Sequence, residues 1–421
     1  MKTISINENI SLHYIEMKKL KTTVVGTYIR RKLSSEENAL NAVLPYVLKS
    51  GCKKFPSISD ITKHLQDLYG ASLNAGVLKN GDNQVIFFDA ETISDKYTPS
   101  GEKPTAELIS LLMEILFVPQ ARCKAFNEQT VNREKKTVKD RIDALINDKR
   151  SYAQLRCTEE ICKNDVFGLS KFGTKEQIDL IDKKNLYAHY EKIITSSQID
   201  IFVCGEANCD ELVSIIKNYT KKLSFIKAEY EPTKIICDAS SVNKVTDNMD
   251  VTQGKLSIGF TTGINAKSPD YPAMVIANSI YGAGTHSKLF NNVREKLSLA
   301  YYASSSLNKY KGIMIVNAGI EFENFKKAYD EAISQLDELK TGKISDEELS
   351  FSKSTIINNL NTYYDDQRYM QMYALDCIYL GIPADIEIYK QKIEAVTKES
   401  VIKISEKIKE NTVYFLAGKN N

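Results

Sequence analysis

Arg294 and Tyr301 stand seven positions apart in the segment HSKLFNNVREKLSLAYYASSSLNKYKG. A guanidinium and a phenol O–H can both donate to an oxygen that gains negative charge. Their ordinary alternatives are an Arg on a solvated helix face and a Tyr in an apolar layer. Tyr302 is expected on the opposite strand face, with a structural role. Just upstream, Gly282-Ala283-Gly284-Thr285 forms a small-residue loop. No third glycine completes a dinucleotide fingerprint, so the loop reads as a helix-ending turn that permits close backbone approach. The four histidines (His13, His64, His189 and His286) are dispersed. His64 shares a helix face with Asp60, a pair that more often packs or faces solvent than binds metal.

These residues need elements to position them. A chain of 421 residues is long enough for two domains of about 200 residues each. With 43% hydrophobic and 26% charged residues and a net charge of +2, the composition is that of a globular protein with no excess charge for a phosphate backbone. Nucleic acid is not an expected partner. The N-terminus lacks a secretory pattern, and no apolar run reaches the ~20 residues of a membrane-spanning helix, so a cytoplasmic, membrane-free location is expected. The eight cysteines form no C-x-x-C pair and read as reduced thiols.

Residues 1–31 alternate as two strands. The spacing predicts a helix through Leu40, Val43, Leu44, Val47 and Leu48, started by a Ser34/Glu37 capping box and ended at Gly51. A second helix around ITKHLQDLYG precedes two strands joined at Asn80-Gly81-Asp82. Periodicity fades over 224–248, which reads as a linker between domains at 1–223 and 249–421. After it the pattern restarts. LQDLYGASLNAGVLKNGDNQVIFFDAE overlays VREKLSLAYYASSSLNKYKGIMIVNAGIE with Ala71-Ser72 on Ala303-Ser304, which points to a duplicated α+β unit.

The run S-x-L-F-x-x-V-R-E-K followed by L-A-Y resembles the second-domain signature of the insulinase, or pitrilysin, zinc peptidases, a family that includes the mitochondrial processing peptidase. DLYGAS, INDKRSYAQ, QGKLSIGF, ISDEEL and TVYFLAG extend the resemblance along the whole chain. It implies an α+β fold of two homologous domains, each a mostly antiparallel sheet with helices packed on one face, closed like a clam shell. Active members carry H-x-x-E-H on the first long helix, where two histidines one turn apart grip Zn²⁺ and the glutamate serves as general base. Counting back from Gly51, those positions fall on Ala42, Pro45 and Tyr46, none of which can do the work. The third-ligand position falls at about Asp140 or Arg141, and Arg141 would repel a cation. A further departure is Ser298, where many relatives have glycine.

The resemblance gives Arg294 and Tyr301 the task of holding the substrate carbonyl, and Gly282, Gly284 and Thr285 that of contacting substrate. It implies a non-catalytic subunit, without a metal or cofactor of its own, beside a homologous H-x-x-E-H chain that brings the zinc. Flexible peptides would be the substrates, and leader-peptide removal one plausible task. Two other readings stand beside it: an inert peptide-binding or assembly scaffold, and an autonomous metallopeptidase with unusual ligands.

Overall fold

The structure, a computed structural model, describes residues 1–237 and 241–419. It divides into two units, and neither is an uninterrupted stretch. One comprises Met1–Ile142, Leu169–Pro232 and Tyr363–Tyr379; the other comprises Asp143–Gly168, Thr233–Thr362 and Leu380–Asn421. Each unit thus takes in a segment from the opposite half of the chain, unlike the continuous stretches 1–223 and 249–421. Helical periodicity shows which face of a segment is apolar, not which sheet receives it.

The strands of the first unit are β1 (Lys2–Ser5), β2 (Ile10–Glu16), β3 (Thr22–Lys32), β4 (Ser72–Asn80), β5 (Asn83–Ile93), the short pair β6 (Ala121–Arg122) and β7 (Ala125–Phe126), and β8 (Gln198–Gly205). Its main sheet runs β1-β2-β8-β3-β5-β4. The second unit holds β9 (Asn243–Met249), β10 (Gly254–Thr261), β11 (Ala300–Asn308), β12 (Ile313–Ile320) and β13 (Lys409–Gly418), in the order β11-β12-β10-β13-β9. The two orders superpose from β4/β11 through β5/β12, β3/β10 and β8/β13 to β2/β9. The pairing sense repeats as well: β2 runs parallel to β8, β9 runs parallel to β13, and the other pairs in this set are antiparallel. The fold is therefore α+β and duplicated, as the sequence overlay anticipates.

Two local expectations are corrected. The expected linker ends inside β9, an edge strand whose sequence NKVTDNM alternates only between exposed and half-buried positions, so it carries no apolar signature. Its residues 238–240 lie outside the described ones. The Ser34/Glu37 capping box does not form: the helix Asn38–Lys49 has Glu37 at its N-cap without a side-chain cap. The Glu37 carboxylate is taken instead by Arg31 at 2.7 Å and Lys192 at 2.6 Å, charge-assisted bonds stronger than a neutral cap. The next helix, Ile58–Asp67, does carry a capping box, from Ser57 and Asp60.

In the second unit, Leu256, Ile258 and Phe260 of β10 pack with Met274, Ile280, Leu336 and Val401 of three helices. A separate apolar cluster joins Cys157 and Ile161 of the helix Lys149–Ile161 to Ile313, Ile315, Tyr414 and Leu416. That helix lies so close to β10 that a Cβ on Gly259 would stand 2.2 Å from Ile161 Cδ1. The first unit repeats the device. The helix Gln367–Leu380 covers β3, where a Cβ on Gly26 would stand 1.6 Å from Gln371 Nε2. A glycine in each central strand makes room for the helix that arrives from the other half of the chain. Arg368 fastens the latter helix to β5 through Asp89 at 2.7 Å and Glu91 at 2.6 Å. Among the described residues, no helix is long and apolar enough to cross a membrane.

Candidate functional site

Arg294 sits in the last turn of the helix Leu289–Lys296, which is wound as a π-helix. The Leu297 amide donates to the Asn292 carbonyl at 3.1 Å and the Leu299 amide to Val293 at 3.0 Å, wider loops than an α-helix makes. Such wide turns recur at functional sites. The Arg294 side chain is 40% exposed, lies 4.6 Å from the Phe290 ring centre, and has Glu295 at 3.5 Å. The helix ends at Ser298, whose φ of +51° is left-handed. The turn thus keeps a backbone suited to glycine although serine occupies it.

From there the chain enters β11 through an irregularity. Ala300 pairs with Ile320 and Tyr302 with Gly319, so Tyr301 is the extra residue of a bulge. Bulges re-aim side chains, and Tyr301 is 54% exposed. Its hydroxyl donates to the Glu321 carboxylate, which raises the phenol pKa. Tyr301 therefore stays a neutral donor near pH 7. Tyr302 points elsewhere: its ring packs on Gly319 and lies 4.2 Å from the Arg150 guanidinium, with burial raising its pKa to about 12. Arg294 and Tyr301 flank one turn, and Tyr301's bond goes to Glu321 rather than to Arg294.

The glycine loop has two characters. Gly282 is buried, and a Cβ there would meet Ser305 Oγ at 2.4 Å and Leu289 Cδ1 at 2.7 Å. Its carbonyl accepts from the Ser305 amide at 2.9 Å. Gly284, with φ +133°, and Thr285 are exposed. A ligand can reach the second pair, whereas Gly282 packs the loop onto β11.

In the first unit, Ala42 and Pro45 are buried in the helix Asn38–Lys49, and Tyr46 is half-buried one turn beyond Ala42. Arg141, from the helix Glu128–Asn147, places its guanidinium 5.0 Å from the centre of the Tyr46 ring. Two positions nearly a hundred residues apart in the chain thus meet as a cation and an aromatic face. The neighbouring acid, Glu134, is occupied by Arg133 at 2.7 Å and Ser50 at 3.1 Å.

Each histidine has a local role. His13 bonds Asp200 at 2.9 Å and Thr3 at 3.0 Å. His64 stacks on Phe55, while Asp60 caps its own helix. Buried His189 meets Asn41 at 2.7 Å, and desolvation lowers its pKa to about 4. His286 lies between Ser279 at 3.1 Å and Ser352 at 3.2 Å. Among the described residues, no three His, Cys, Asp or Glu side chains are grouped to hold a metal ion. Sequence reasoning missed the His13–Asp200 pair, Glu321 as the partner of the Tyr301 hydroxyl, and Lys171. All three depend on strand register or on loops meeting helices, and none has a spacing signal.

Residues 181–356 match the family described as the peptidase M16 inactive domain. The chain is 34% identical over 413 residues to the "Probable inactive metalloprotease YmfF" of Bacillus subtilis (strain 168), covering 97% of this chain and 96% of that protein. A crystal structure of a conserved protein from Enterococcus faecalis V583 superposes with a TM-score of 0.91 at 26% identity, covering 100% of this chain and 99% of the other. A peptidase M16 inactive domain from Pseudomonas fluorescens shares the fold, with a TM-score of 0.79 at 15% identity over 99% of this chain and 98% of its own. The chain belongs to the insulinase-type (M16) metallopeptidase family and is a member without the zinc motif.

Proposed function

We propose that this protein is the zinc-less subunit of a two-chain insulinase-type endopeptidase, lending Arg294 and Tyr301 to a homologous partner that carries H-x-x-E-H and the zinc. The observation that carries this reading is an asymmetry. The positions that the zinc motif would take, Ala42, Pro45 and Tyr46, carry no zinc ligand and Arg141 lies over Tyr46, while Arg294 and Tyr301 are both present in the second unit, solvent-accessible, on a π-helix and a bulge. In the complex, the partner's zinc supplies the activated water. This chain's guanidinium and phenol donate to the carbonyl oxygen as it becomes an oxyanion. To do so Tyr301 turns its O–H from Glu321 to the substrate. Gly284 and Thr285 border the peptide, and flexible chains such as leader segments are the substrate class.

The test is reconstitution with an H-x-x-E-H homologue from the same source and a fluorogenic peptide. Arg294→Ala and Tyr301→Phe are each expected to lower kcat roughly 10²-fold to 10³-fold, the usual loss for one oxyanion donor. Unchanged turnover in both variants, with the complex intact by size exclusion, refutes the role in trans and favours a scaffold. Stoichiometric zinc and peptide hydrolysis by the isolated chain would refute the reading altogether.

A further inference from the structure

The ground between the helix Asn38–Lys49 and Arg141 carries unspent positive charge. Lys49 lies on the same helix face as Tyr46, three residues on. Lys171 is fastened beside that helix through its backbone: its carbonyl accepts from Gln84 Nε2 at 2.7 Å, and Gln84 Oε1 accepts from Asn41 at 2.8 Å. Lys49 and Lys171 are half-buried and Arg141 is exposed, and none of the three forms an ion pair among the described residues. The Tyr46 hydroxyl has no hydrogen-bond acceptor there either. Glu134, the nearby carboxylate, is already held by Arg133 and Ser50. Burial and then the Arg141 charge lower the pKa of both lysines, with Glu134 opposing the shift at Lys49, so Arg141 acts on each of them.

Half-buried cations normally have a counter-ion, because desolvating a charge without one is costly. Lys49 and Lys171 are two such cations, exposed Arg141 lies beside Tyr46, and Glu134, the acid that acts on Lys49, already bonds Arg133 and Ser50. We propose that the erased metal site is an oxyanion site, in which Arg141, Lys171, Lys49 and the Tyr46 hydroxyl bind a carboxylate or phosphate group. Arg141 offers the planar fork that suits either oxyanion, and the lysines add point charge. Arg141, at or next to the expected third-ligand position, thus favours an anion where the resemblance expects a metal ion. Nothing here depends on Arg294 or Tyr301, so the two readings fail separately.

The test uses the full-length protein and isothermal titration calorimetry at low ionic strength. The probes are inorganic phosphate, a short neutral peptide with a free C-terminal carboxylate, and the same peptide amidated. Phosphate or the free-acid peptide is expected to bind more tightly than chloride at matched ionic strength. Arg141→Gln and Lys171→Gln should each weaken that binding roughly tenfold, with Arg141→Lys intermediate. Binding of the free-acid peptide but not its amide identifies a chain terminus as the source, whereas binding of phosphate alone identifies a phosphate. Circular dichroism checks each variant, and Lys49→Gln substitutes for any that does not fold. No preference over chloride for either probe, or equal affinity in the folded Gln variants, overturns the proposal.

Discussion

Restoring histidines at positions 42 and 46 while keeping Arg141 should give a poor zinc site, and replacing Arg141 as well should give a good one. The two histidines would lie one helical turn apart on one face, as a zinc pair requires. The guanidinium now lies 5.0 Å from the Tyr46 ring centre, so it would stand about that far from a bound dication. Even in fully screening water, a unit charge and a dication at that distance repel by about 1.7 kcal/mol, or roughly 15-fold in affinity. Replacing the guanidinium with a carboxylate changes repulsion into attraction of similar size, for a total of about 3.3 kcal/mol, roughly 250-fold, before any coordinate bond is counted. Ala42→His carries its own penalty, because Ala42 is fully buried and overpacking costs about 1–3 kcal/mol. That penalty is common to both variants and cancels in the comparison. The assay is competition with a chromophoric zinc chelator, with circular dichroism to confirm folding. If Ala42→His/Tyr46→His binds zinc as tightly with Arg141 as with Arg141→Glu, then Arg141 does not govern the charge of this site.

Two further predictions concern stability. Ser298 holds a left-handed φ of +51°, so Ser298→Gly should raise stability by about 0.5–1 kcal/mol in urea titrations; a loss would mean that the serine side chain stabilises the turn. His189 has its pKa lowered from 6.5 to about 4 by burial, so the unfolded chain binds the extra proton first as pH falls. Its neutral form therefore favours folding fully above pH 6.5, and between pH 6.5 and 4 about 3 kcal/mol of stability should be lost. In His189→Gln the pH dependence over that window should be shallower; an unchanged slope would exclude His189 as its source.

Much of this was legible in the residues because it is covalent. The pattern H-x-x-E-H occurs nowhere in the sequence, so the loss of the zinc motif holds in any fold. The duplication was legible for a related reason: strand alternation and the Asn80-Gly81-Asp82 turn are local, and both halves repeat them. Asp60, by contrast, shows how two local signals compete: it could have paired with His64, but it sits three residues after Ser57 and caps the helix. Glu37 lost its expected cap because Arg31 and Lys192, distant in sequence or facing another element, offered stronger partners.

Sequence alone determined which chemistry was absent and which donors remained, since side-chain type sets both. Tertiary structure alone decided which charges face one another. The helix Lys149–Ile161 went to β10 and the helix Gln367–Leu380 to β3, because the glycines that admit them lie in strands far away in the chain. The same long-range packing brought Arg141 over Tyr46, close enough for its charge to act on Lys49 and Lys171.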